Sequence, residues 1–128
     1  MNRIYKILPR GLWINFQKTG IFLGSPVDLS DGFIHFSYAH QLHETARKHF
    51  SGQRELILLS VASAPLGAAL RKEPSRGGDY FPHLYAPLDI HHVLWSKNLD
   101  LGADGVPILP LLSDDDGQCI ALPLITNI

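Results

Sequence analysis

Residues 55–61 (Glu55, Leu56, Ile57, Leu58, Leu59, Ser60 and Val61) form a nearly unbroken apolar run of strand length. A strand with one wet face alternates apolar and polar side chains, and this run does not. It therefore reads as a central strand, paired along both edges and covered on both faces. The rest of the chain must supply those partners and covers.

Residues 4–8 read as a first strand, stopped by Pro9, Arg10 and Gly11. Residues 12–18 read as a short helix with Trp13 and Phe16 on one face. Ala39, Leu42, Ala46 and Phe50 recur at helical spacing over residues 38–50, and Ser51 and Gly52 end that helix. Residues 32–36 read as a second strand, with Ser37 placed to cap the helix after it. The Gly-, Pro- and Asp-rich residues 20–30 read as a loop. Further on, 65–70 reads as one helical turn, 71–73 as a short strand, 74–79 as a loop and 89–95 as a strand. Residues 106–112 and 118–125 flank Ser113, Asp114, Asp115, Asp116 and Gly117 as a hairpin whose strands Pro110 and Pro123 confine to edges. The class is α+β with a mixed or antiparallel sheet, and 128 residues fit one domain.

Composition narrows the function classes. A net charge of −1 without a basic stripe argues against broad nucleic-acid or anionic-membrane binding. The single Cys119 excludes an intramolecular disulfide and a multi-cysteine zinc site. No apolar run approaches a membrane span, and the N-terminal residues lack the apolar stretch of a signal peptide. A soluble cytoplasmic protein is the expectation.

Two segments carry chemistry. Phe33, Ile34, His35, Phe36 and Ser37 form one, and Phe81, Pro82, His83, Leu84 and Tyr85 the other. Each sets a histidine inside an aromatic, apolar run, where both ring nitrogens need partners. Strand alternation puts His35 and Ser37 on one face, with Ile34 and Phe36 on the other. One reading is a pocket in which His35, Ser37 and His83 meet a ligand and Tyr85 stacks on it. The other is core imidazoles bonded to backbone carbonyls, with Ser37 only capping a helix. Glu73 precedes a Gly-rich loop and reads either as a site carboxylate or as a surface partner of Arg71 or Lys72. His40, His43 and His49 lack metal-binding spacing. His91 and His92, adjacent in a strand, point to opposite faces. No metal site is expected; a metal-dependent hydrolase using His35, His83 and one of His91 or His92 is the weakest alternative.

The wording and order of these segments go further. Ile4, Tyr5, Lys6 and Ile7 open the chain. Asp28 and the run from Asp31 to Ser37 follow, then Gln41, Leu56 to Leu59, Glu73, and the run from Phe81 to Leu88. This pattern resembles domain-of-unknown-function family 952 over roughly residues 3–95. Lys6 stands where the family pattern carries His, and Ala86 where it carries Gly. The resemblance implies a fold similar to the ADP-ribosyltransferases, a split, strongly bent sheet holding NAD in a central cleft. By position it implies Tyr5 and Lys6 near the adenosine ribose and His35 and Ser37 near the nicotinamide. Glu73 becomes the carboxylate that supports an oxocarbenium ion, with His35 beside it as the second catalytic residue. His83 and Tyr85 would complete the cleft. The expectation is a nucleotide-binding protein, with NAD as its substrate and N-glycosidic cleavage or ADP-ribosyl transfer as its chemistry. The alternative is a non-catalytic nucleotide-binding module.

Overall fold

The computed structural model describes residues 3–75 and 77–112. The expected C-terminal hairpin turn, its second strand and Cys119 lie outside them. Strand β1 (Arg3–Pro9) leads into helix α1 (Arg10–Thr19), then β2 (Ile21–Phe22), α2 (Pro26–Asp31) and β3 (Ile34–His35). After one 3-10 turn come α3 (Leu42–His49) and β4 (Leu56–Ala62). A second 3-10 segment precedes β5 (Leu70–Pro74), β6 (Tyr80–Leu84) and β7 (Leu88–Asp89); a third precedes β8 (Val93–Leu99). The fold is α+β, and every strand pairing is antiparallel.

Strand β4 takes the central place its composition demands, between β1 and β8. One face of β1 and β4 supplies Ile4, Leu8, Ile57 and Leu59 to a core shared with Phe16 of α1, Phe22, Ile34 and Leu84. The other supplies Tyr5, Ile7, Leu56 and Leu58 to a second core closed by Leu42 and Ala46 of α3. A second three-stranded sheet runs β3-β6-β5. Among the described residues the two sheets join at one bridge, Tyr5 to Ser37, whose backbone N–H groups donate to each other's carbonyls at 2.9 Å.

Four expectations need correction. Residues 20–30 are not all loop. Ile21–Phe22 pairs with Leu88–Asp89, and Ser25, Pro26 and Asp28 start a helix. The stretch 89–95 is not one strand, because the Asp89 carboxylate accepts from the His91 N–H at 2.8 Å and winds Ile90–His92 into a 3-10 turn. Ser37 does not cap the following helix; its hydroxyl pairs with Thr45 on α3 at 3.1 Å. Among the described residues, 106–112 form no strand and hold one isolated bridge, Leu101 to Pro107. Among the described residues no helix is long and apolar enough to cross a membrane.

Candidate functional site

The β3-β6-β5 sheet turns Ile34 and Leu84 into the core and presents its other face outward. Register follows: Ile34 lies opposite Leu84 and His35 opposite His83, while Arg71 also lies opposite His83 and Glu73 opposite Phe81. Alternation then sets His35, His83, Arg71 and Glu73 on the outer face. The His35 and His83 rings meet edge to face, with centroids 5.4 Å apart. Phe33 stacks on His83 at 4.1 Å and also touches His35 and Tyr85.

Each imidazole has its own carboxylate. His83 Nδ1 lies 2.9 Å from Glu73 Oε1, and the Tyr85 hydroxyl donates to that same oxygen at 2.7 Å. These hydrogen bonds, Tyr85 first, hold the Glu73 carboxyl below its ordinary pKa. The same contact, helped by desolvation, pushes the Tyr85 phenol up. Arg71 lies over the Tyr85 ring, its guanidinium carbon 4.7 Å from the centroid. Glu73 remains 30% exposed, so its carboxylate faces solvent as well as His83.

His35 is anchored from beneath. Its Nδ1 lies 2.6 Å from Asp28 Oδ1, and Asp28 is fully buried. Asp28 also accepts from the backbone N–H groups of Ser25 at 2.8 Å and His35 at 3.1 Å. Buried Lys6 reaches its other oxygen at 3.1 Å and donates to the His35 carbonyl at 2.8 Å. Burial alone would raise the Asp28 pKa. The His35 hydrogen bond, the Lys6 charge and the two backbone donors outweigh it and hold the carboxyl well below the usual carboxylate range. Burial lowers the Lys6 pKa against the pull of Asp28.

The structure gathers His35, His83, Tyr85 and Glu73 on one face. Lys6 joins through Asp28 and the His35 carbonyl, from the core side. Tyr5 and Ser37 do not face this group, which corrects their expected place in the cleft. Tyr5 and Lys6 are neighbours on β1 and so point to opposite faces. Tyr5 is fully buried in the α3-side core against Trp95. Ser37 has left the second sheet for the bridge to Tyr5, which carries its hydroxyl to α3. The sequence reading missed Asp28, Asp31, Phe33 and Arg71 as site residues. Ser25-x-x-Asp28 with Pro26 between is a helix-start signature that marks Asp28 as ordered. The site is an open sheet face; cavities of about 470 and 220 Å³ lie elsewhere, beside α3 and around Tyr38. No group of three or more His, Cys, Asp or Glu among the described residues is placed to hold a metal ion.

These features define an α+β protein with two carboxylate-backed histidines side by side on one face of an antiparallel sheet, His35 part-exposed and His83 buried. The sequence pattern of the family described as Protein of unknown function (DUF952) matches residues 7–96, and the chain belongs to that family. It is similar to protein CC0527 from Caulobacter crescentus, a structural genomics target. The X-ray structure of that protein is 54% identical, covers 83% of this chain and 93% of its own, and superposes with a TM-score of 0.80. Its solution NMR structure, also 54% identical, covers 84% and 92% with a TM-score of 0.76. No curated protein matches the chain.

Proposed function

We propose that the outer face of the β3-β6-β5 sheet binds a nucleotide of the NAD class, and that Glu73 acts on its nicotinamide ribose. The observation that carries this reading is the Glu73 carboxylate, which His83 and Tyr85 both hold through one oxygen at 2.9 and 2.7 Å. Its lowered pKa keeps it ionised at neutral pH. Breaking the bond between ribose C1′ and the nicotinamide nitrogen builds positive charge on the sugar, and a fixed carboxylate stabilises that charge. Nicotinamide leaves as the neutral base with the bonding pair, and the oxygen of water or of an acceptor hydroxyl bonds to C1′ and releases its proton to solvent. Phe33 and Tyr85 offer faces for a planar ring, and Arg71 offers a cation on the same side. Two three-stranded sheets joined at one bridge support the split-sheet likeness to ADP-ribosyltransferases. Fold likeness alone does not give an activity.

Thermal unfolding with NAD or ADP-ribose tests the binding. A ligand at 100 times its dissociation constant stabilises by about 2.7 kcal/mol, or roughly 10 °C for a domain near this size. Glu73→Gln should keep most of that shift and abolish nicotinamide release, because the charge it meets develops only in the transition state. A shift without nicotinamide release in the parent protein would make this a binding module. No shift with any adenine or nicotinamide nucleotide at millimolar concentration would refute the reading.

A further inference from the structure

We infer that the outer nitrogen of His35 is a seat for a phosphate group, filled in the free protein by the carboxylate of Asp31, which the ligand displaces. The ligand class rests on the nucleotide reading above; the seat itself rests on local geometry. His35 Nε2 lies 2.9 Å from Asp31 Oδ2, while Nδ1 lies 2.6 Å from Asp28 Oδ1. His35 is thus held between two carboxylates, one at each ring nitrogen.

The two anions differ in how they are held. Asp28 is fully buried, with Lys6 and two backbone N–H groups as further donors. Asp31 is 45% exposed, ends α2, and is ion-paired with no residue but His35 among the described residues. An exposed ion pair of this kind is worth at most about 1 kcal/mol, so a competing anion removes it easily. Asp28 stays and keeps the ring oriented. The vacated position faces the open side of the sheet, where phosphate oxygens accept charge-assisted hydrogen bonds.

Position along the sheet fits a nucleotide. His35 is on β3 and Glu73 on β5, with β6 between them. Two strand spacings are roughly 10 Å, comparable with the distance from the ribose to the pyrophosphate of a dinucleotide. Phosphate at His35 therefore leaves the ribose free to reach Glu73. Arg71, on β5 beside Glu73, adds a cation to that face.

The test follows the His35 side-chain nitrogens by 15N NMR while inorganic phosphate, pyrophosphate or acetate is titrated into the full chain. Phosphate should shift the His35 Nε2 signal. Asp31→Ala should tighten phosphate binding about fivefold, the equivalent of removing a competitor worth about 1 kcal/mol. Glu44→Ala, which removes a carboxylate from α3 instead, should change it less than twofold and so controls for net charge. His35→Asn should lose the site; if that variant does not fold, the comparison of Asp31→Ala with Glu44→Ala decides. Equal affinities in those two variants, or acetate binding as tightly as phosphate, would overturn the proposal. Phosphate seated at His35 without any nucleotide-induced stabilisation would retain the seat and refute the NAD reading. Nucleotide binding that leaves His35 and Asp31 undisturbed would do the reverse.

Discussion

Removing both members of the buried Lys6–Asp28 pair should cost no more than removing either one. Lys6→Met leaves Asp28 ionised and buried. Three N–H donors remain on it, from Ser25, the His35 backbone and the His35 ring, at 2.8, 3.1 and 2.6 Å. Breaking a buried pair costs about 3–5 kcal/mol, and these remaining donors place this case near 3. Asp28→Asn leaves Lys6 with the His35 carbonyl at 2.8 Å and two aromatic faces nearly 6 Å away. Burial already lowers the Lys6 pKa, so the amine can shed its proton in that variant, which again limits the loss to about 3 kcal/mol. The double variant holds no unpaired charge and should also lose only about 3 kcal/mol, a coupling of comparable size. Each single variant should melt roughly 10–15 °C below the parent. Urea unfolding of all four proteins at pH 7 gives the cycle directly. Additivity to within about 0.5 kcal/mol, a double variant near 6 kcal/mol below the parent, would refute the pair as the support beneath His35.

Asp28 should also set an acid limit to stability. Its folded pKa lies below its unfolded value, near 3.9, so its contribution is present above about pH 4 and is lost as pH falls through the folded value. Melting temperature against pH should therefore fall more steeply below pH 4 in the parent than in Asp28→Asn; parallel curves would contradict this. Gly24→Ala should be strongly destabilising. The backbone there has φ +131°, and a new Cβ would lie 2.7 Å from the Asp28 Cβ. An unchanged urea midpoint would show that Asp28 can move aside freely.

How much of this was legible in the sequence depends on how local each cause is. The run 55–61 announced a strand buried on both faces because composition alone carries that signal. The helix 10–19 was recognisable from the Trp13 and Phe16 spacing, and the two rings do pack edge to face at 5.6 Å. Strand β2 has two residues, and its partner β7 lies more than sixty residues away, so no local pattern foretold it. At 89–95 the strand propensity of Val93, Leu94 and Trp95 was read back too far. A side chain bonding its own backbone two residues on competes with the ladder, and Asp89 does so. Asp28 was the largest omission at the site. An aspartate in a stretch that reads as loop gives no sign of its two distant partners, since Lys6 and His35 reach it only once β1, α2 and β3 are assembled.

The position of the histidine pair is itself a consequence of core packing. Ile34 and Leu84 are 2% and 1% exposed and lie opposite each other across β3 and β6. Their burial fixes the register, because a slip of one residue would turn Leu84 outward and His83 into the core. With that register set, His35 and His83 face each other on the outer side. What the core cannot set is which nitrogen of each ring is left free of its carboxylate. That falls to Asp28 and Glu73, each taking the Nδ1 of its own histidine from a different element. A carboxylate on Nδ1 keeps that nitrogen a donor and leaves Nε2 as the working atom. Nε2 of His35 then meets Asp31, whereas Nε2 of His83 has no hydrogen-bond partner among the described residues. The two imidazoles are thus matched in register and held alike at Nδ1, yet unlike at Nε2. One arrives with an anion already on it and the other without, and a ligand that bridges them must supply an anion for the first and a hydrogen-bonding group for the second.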